Sequence, residues 1–282
     1  MSESVSQAVA TPSSARPPLP SLLKVGWSRA AIETKTFFRE RDSLVFNFSF
    51  PIILLVLFGS IFSGELANGI TMSQLYTAGL IGAGLMSTSF QNLAISIAVE
   101  REEGGLKRLI ATPMPRTAYF VGKVLSVLLV TVLEIALLLA VGVLLYDLRL
   151  PASVADWFTF AWVLVLGLTA SALLGIAASS LPRSAKSAAA VITMPFVMLQ
   201  FISGVYIPFT QLPGWLIDIA SVFPLKWMCQ GFRSVFLGDA GVGLELTGSY
   251  ELGRIALILA AWAVGGLLLC LLTFRWKSRR DG

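Results

Sequence analysis

The charged residues of this chain stand in short clusters, and the runs between them are long and nearly free of charge. A helix needs about 20 apolar residues to cross the roughly 30 Å hydrocarbon core of a bilayer. Residues 43–64 carry no charge, and neither do residues 66–99, which hold a short outer segment and one span over 75–99. Residues 124–146 are interrupted only by Glu134, and uncharged runs follow at 157–181, 187–208 and 255–274. An ordinary soluble domain is excluded, because only 13% of the 282 residues are charged against about 25% in soluble domains. The sequence therefore predicts an all-α polytopic membrane protein with six transmembrane helices. One further apolar stretch, 212–223, is too short to cross and is bracketed by Pro213 and Pro224. It reads as a re-entrant or interfacial helical segment over 212–224.

Six spans put both termini on one side, and lysine and arginine choose which side. On this count 17 of the 21 lie in the N-terminal segment, the loop after the second span, the loop after the fourth and the C-terminal tail. The other side holds Arg149, Lys226, Arg233 and Arg254. The expectation is a cell-membrane protein, plasma or inner, with N and C termini in the cytoplasm. The net charge of +5 then has a membrane explanation, and nucleic acid is not expected as a partner.

Several kinds of chemistry are excluded. The chain has no histidine, which removes His-ligated metal sites and Ser-His-Asp triads. Two cysteines, Cys229 and Cys270, cannot build a four-cysteine zinc site. No phosphate-binding loop is present: before Gly122-Lys123 the first glycine is replaced by Thr117, and Val124 stands where Ser or Thr belongs. No metal site, no cofactor and no catalytic residue is expected in this chain.

Residues 1–20 read as a disordered cytoplasmic tail, and 275–282 as a second cytoplasmic tail. Residues 21–41 are amphipathic. On a helical wheel Leu23, Trp27, Ala30, Ala31, Thr34, Phe37 and Phe38 share one arc, with Lys24, Arg29, Glu33, Lys35, Arg39 and Glu40 outside it. An interface helix with its charges toward the headgroups is predicted, either a plain anchor or a lever that meets a cytoplasmic partner. Trp157, Trp162, Trp215, Trp227 and Trp276 lie near span ends and read as an interfacial belt.

The loop 100–116 is denser than a connector needs to be. It runs Glu100-Arg101-Glu102-Glu103-Gly104-Gly105-Leu106-Lys107-Arg108-Leu109, then Thr112-Pro113-Met114-Pro115-Arg116. The positive-inside rule explains its lysines and arginines but not three glutamates beside a glycine pair. With the leader, the six spans and a late element (Pro208-Phe209, Leu212-Pro213-Gly214-Trp215-Leu216, Phe223-Pro224-Leu225-Lys226-Trp227, Arg233), the chain resembles the transmembrane subunit of type-2 ATP-binding cassette exporters, the ABC-2 family. The resemblance spans nearly the whole chain, although Gly105 replaces the family's usual threonine. It implies that Glu100, Arg101, Glu102, Glu103, Gly104, Gly105, Lys107 and Arg108 form a coupling element docking on a separate ATP-binding cassette subunit, which holds ATP and magnesium. It also implies that Pro208, Leu212, Pro213, Trp215, Pro224 and Arg233 belong to an outer re-entrant hairpin over the translocation path. A second permease subunit, identical or different, is implied, and the substrate expected is a hydrophobic drug or lipid-like molecule.

Glu134 lies near the middle of the third span, where a charged residue costs about 2.5–3.5 kcal/mol on insertion scales. It reads as functional or as hydrogen-bonded glue between helices. An ion-coupled transporter or channel built on Glu134 is the alternative function, though no inverted repeat of hydropathy accompanies it. Cys229 is expected on the outer side and Cys270 near the cytoplasmic end of the last span, so the two should never pair.

Overall fold

The computed structural model describes residues 21–274 apart from 63 and 68. The expected tails, with Arg16 and Trp276, lie outside the described residues. Helix α1 (Leu22–Arg39) starts at Ser21, whose hydroxyl accepts from the Lys24 N–H, an N-cap that satisfies a helix-end donor. After a break at Glu40 the chain enters α2 (Arg41–Ile61). A two-stranded antiparallel ribbon follows, β1 (Glu65–Ala67) and β2 (Ile70–Thr71), with Glu65 opposite Thr71 and Ala67 opposite Ile70.

Thr71 and Gln74 form a capping box that starts α3 (Met72–Met86). One wide π-helical turn, Ser87–Asn92, joins α3 to α4 (Leu93–Glu102). Beyond lie α5 (Gly105–Ile110), α6 (Arg116–Tyr146), α7 (Val154–Ala178) and α8 (Ala185–Ile202), the last begun by a Ser184–Ser187 capping box. The hairpin α9 (Gly214–Val222) and α10 (Pro224–Leu237) precedes α11 (Leu252–Thr273).

Among the described residues six helices are long and apolar enough to cross a bilayer: Leu44–Ile61, Met72–Glu102, Arg116–Tyr146, Val154–Ala178, Ala185–Ile202 and Leu252–Thr273. The third begins at Arg116 and not near 124. At 31 residues it is about 46 Å long, so its first turns project beyond the hydrocarbon core. Lys123, read in sequence as a loop charge, is inside the helix.

Two corrections concern the faces of helices. The arc read on α1 is only partly used: Ala30 is buried against α6, as is Gly26 outside that arc, while Trp27, Ala31 and Phe38 are exposed. Arg29 and Glu33, expected toward the headgroups, are partly buried beside α6. The wheel shows where apolar residues lie but not that a neighbouring helix supplies counter-charges.

The second correction concerns 225–237. The sequence ends its re-entrant segment at 224, yet the chain folds back at Phe223-Pro224 into α10, which is buried almost throughout. Lys226 and Arg233 hide this helix from a hydropathy reading. It is wedged between α3 and α7: a Cβ on Gly82 would stand 2.9 Å from Cys229 Sγ, and one on Gly167 would stand 2.6 Å from Met228 Sδ. Small residues permit this close approach where no water drives helices together. Trp227, expected in the belt, is 1% exposed and donates its indole N–H to the Ser221 carbonyl.

Cys229 and Cys270 are free and buried, on carbonyls of different helices: Cys229 Sγ is 3.7 Å from the Gly79 oxygen, and Cys270 Sγ is 2.8 Å from that of Leu173. The bundle thus has two ends, the α5 face and the hairpin face.

Candidate functional site

The last turn of α4 holds three consecutive charged residues, and each reaches a different span. Glu100 accepts from Tyr119 Oη on α6 at 2.9 Å and pairs with Lys123. Arg101 is 9% exposed and donates to the Ser179 carbonyl at 2.6 Å and hydroxyl at 3.0 Å. Ser179 closes α7, so the guanidinium sits where the helix dipole favours a cation. Glu102 accepts from the Ala185 N–H at the start of α8, where the dipole favours an anion. These three residues therefore root the loop in spans three, four and five.

The direction of the chain changes after them. Glu103 ends α4, and Gly104 adopts φ of +77°, a left-handed conformation that non-glycine residues rarely hold. Its carbonyl accepts from the Arg108 N–H at 3.1 Å, opening α5. Gly105 has less room, since a Cβ there would lie 3.2 Å from the Glu100 carbonyl. On α5 Leu106 is fully buried, whereas Lys107, Arg108 and Ile110 are exposed, as is Glu103 beside it. The short helix is thus held by Leu106, with half-buried Leu109 packed beside it, and presents charge outward.

An ion cluster unmarked by any motif braces the same end. Lys123 is 3% exposed and donates to Glu33 at 2.7 Å and Ser96 at 2.9 Å, besides its pairing with Glu100. Arg29 pairs with Glu33 and stands over the Tyr119 ring, 5.6 Å from its centroid. Thr34 and Ser126 hydrogen-bond at 2.9 Å within about one turn of Glu33 and Lys123. The cluster joins α1 to α4 and α6 across about 65–90 residues of sequence, which no local pattern announces. The clue available was a lysine one residue before an uncharged run.

Between α2, α3 and α8 lies a cavity of about 110 Å³. Phe46, Phe50, Phe196 and Tyr206 line it, together with the uncharged polar groups of Asn47, Gln91 and Gln200. The π-turn positions Gln91 and Asn47, while Gln200 accepts from Tyr206. Gln91 donates to Thr193 on α8 at 3.1 Å, and Asn92 donates to Asn47 on α2 at 2.8 Å. Thr88, on its inner side, donates to Glu134 Oε2 on α6 at 2.7 Å.

Glu134 is 5% exposed and does not line the cavity. A Cβ on Gly84 would lie 2.5 Å from its Oε1, so the carboxyl sits directly behind the cavity wall. One turn of helix thus bonds to three other spans, and Glu134 is one of its anchors.

The late residues fall into two groups. Pro208, Pro224 and Arg233 are buried, Leu212 is half-buried, and Pro213 and Trp215 are exposed on the α9 side. Pro208 and Pro213 precede a 3₁₀ turn and α9, and Pro224 opens α10, where a missing N–H is tolerated. Arg233 is paired with Glu245 at 2.6 Å.

The six long apolar helices and the buried hairpin define a polytopic helical membrane protein. The profile of the ABC-2 type transporter family matches residues 27–237, and the chain belongs to that family. It is 26% identical over 151 residues to "Probable multidrug ABC transporter permease YbhR" of Escherichia coli K12, covering 54% of this chain and 40% of YbhR. It is 25% identical over 224 residues to "Inner membrane transport permease YadH" of the same organism, covering 76% of this chain and 85% of YadH. The chain is thus a multi-helix member of that family whose match spans less than half the length of YbhR.

Proposed function

We propose that the chain forms the membrane path of an ATP-driven exporter and that α5 is the contact for a separate ATP-binding cassette subunit. The observation that carries this reading is the root of the loop: Glu100, Arg101 and Glu102 tie one short exposed helix to α6, α7 and α8. A push on α5 then reaches three spans together through short polar contacts, as coupling between sites requires. ATP and magnesium belong to the cassette subunit in this reading. The α5 face, carrying most of the lysine and arginine, is cytoplasmic under the positive-inside rule.

The cavity between α2, α3 and α8 supports a hydrophobic, aromatic or lipid-like substrate. Aromatic rings and uncharged hydrogen-bonding groups line it, which suits an apolar molecule with a few polar atoms. A second permease subunit, identical or different, belongs to this reading. Glu134 serves as a tie between helices here, because its described partner is Thr88 and not a second acid.

The test is co-purification of the cassette subunit with wild-type, Glu103→Lys and Gly104→Val chains, with ATPase and efflux assays on the same membranes. Normal insertion with lost binding and lost export is expected. Variants that bind and export normally would reduce the loop to a connector.

A further inference from the structure

Four cations are buried among the described residues: Arg101, Lys123, Lys226 and Arg233. Taking a cation out of water requires a counter-charge or hydrogen-bond acceptors. Arg101 has the Ser179 oxygens, and Lys123 has two carboxylates. Arg233 donates to Glu245 at 2.6 and 3.2 Å and to the Gly204 carbonyl at 3.2 Å. Among the described residues Lys226, at 6% exposed, has neither an ion pair nor a hydrogen bond, and its Nζ keeps contact with solvent.

What Lys226 touches is aromatic. Its Nζ lies 4.0 Å from the centroid of Trp227 and 5.5 Å from that of Phe209. Each ring already serves another cation: Arg254 stands over Trp227 at 5.1 Å and Arg233 over Phe209 at 4.7 Å. Three cations therefore gather at the hairpin face around the carboxylates of Glu245 and Glu251, both taken, Glu245 by Arg233 and Glu251 by Arg254. Burial, and next the Arg254 guanidinium, push the Lys226 ammonium below its ordinary pKa.

We propose that Lys226 is the binding point of an oxyanion, with Arg254 as a second contact, and that the ligand is the phosphate of an anionic lipid headgroup. The unmatched positive charge favours an anionic over a zwitterionic group. Arg254, its side chain 57% exposed, stands at the rim. The helix leading into Lys226 offers acyl chains a surface: Trp215, Ile219, Val222 and Phe223 are exposed along α9 and its end. The site is separate from the transport cavity, whose lining includes none of these cations, so its test does not depend on transport.

The experiment is native mass spectrometry of the purified full chain with phosphatidylglycerol and with phosphatidylcholine of the same acyl chains. Wild type is expected to retain the anionic lipid preferentially. Lys226→Met should lose roughly tenfold of that preference, the scale of one charge-assisted hydrogen bond. Arg254→Gln should lose less, and Arg149→Gln nothing.

Photo-crosslinking of the wild-type chain with a diazirine phosphatidylglycerol reads the site without a variant. Label within residues 214–237 is expected, and label only elsewhere overturns the proposal. Equal retention of phosphatidylglycerol by wild type and Lys226→Met also overturns it. Thermal stabilisation by inorganic phosphate, lost in Lys226→Met and without any lipid preference, overturns the headgroup assignment in favour of a free oxyanion.

Discussion

Lys123 and Lys226 are almost equally buried, 3% and 6% exposed, at opposite ends of the bundle. Lys123 is enclosed by Glu33, Glu100 and Ser96. Lys226 rests on Trp227 and Phe209. The first lysine holds three helices together, because its removal takes the nearest cation from Glu100 and one of two from Glu33. The second strands nothing, because no acid depends on it. Burial alone therefore does not say whether a charge is structural; the partners left behind decide.

The sharpest way to break this comparison is to make the same change at both ends, in detergent without anionic lipid. Lys123→Met should cost about 3 kcal/mol, the lower end of the range for breaking a buried pair, since the Glu100 side chain is 26% exposed and partly screened. Lys226→Met should change stability by about 1 kcal/mol or less, since a hydrophobic replacement leaves no orphaned charge. Denaturant or thermal unfolding measures both. Adding Glu100→Gln to Lys123→Met should recover part of the loss, as coupled partners do. Equal costs at the two lysines would end the distinction.

Gly104 sharpens the contrast at the α5 face, where backbone and not charge is at stake. Gly104→Val forces a branched residue into a left-handed conformation, at a cost of about 1–3 kcal/mol. The expected outcome is normal insertion with impaired cassette binding. Gly104→Asn should be milder, because asparagine tolerates that region. Gly105→Ala should also be milder, since it requires only a small shift from the Glu100 carbonyl.

Glu134 lies between the two ends and tests whether an intramembrane acid acts as a tie. Glu134→Leu strands the Thr88 hydroxyl and should cost about 1–2 kcal/mol, read by thermal unfolding. Glu134→Gln, which can still accept from Thr88, should be nearly neutral. Lysine or arginine should be worst tolerated, with Gly84 against the carboxyl. Unchanged stability and transport in Glu134→Leu would remove both the structural and the functional reading.

The smallest effect concerns the thiols. Buried Cys229 and Cys270 should resist maleimide in the folded chain and react after unfolding. An intrachain disulfide detected by mass spectrometry would contradict the arrangement of α10 and α11, in which each thiol sits on a separate carbonyl.

Transmembrane architecture was legible because the bilayer imposes one requirement on a span: enough apolar length with backbone bonds closed inside the helix. The spacing of charges carries that information locally, and the bias of lysine and arginine carries the expected orientation. The glycine pair and its charges likewise marked the loop before any contact was known. What they could not show is where those charges point. Glu100, Arg101 and Glu102 look alike as loop charges, but only the packed bundle brings Lys123, Ser179 and Ala185 to meet them.

The same holds for α10, Trp227, the inner face of α1 and the π-turn. Lys226 and Arg233 make α10 look like an exposed loop, and its burial depends on glycines far away on α3 and α7. The sequence by itself determined six membrane-crossing helices and the basic character of one end, since both follow from residue type along the chain. Tertiary structure alone decided which charges are sealed inside, which partners they hold and which cation is left unmatched. Those depend on distances between residues tens of positions apart, and a buried charge takes its role from its neighbours.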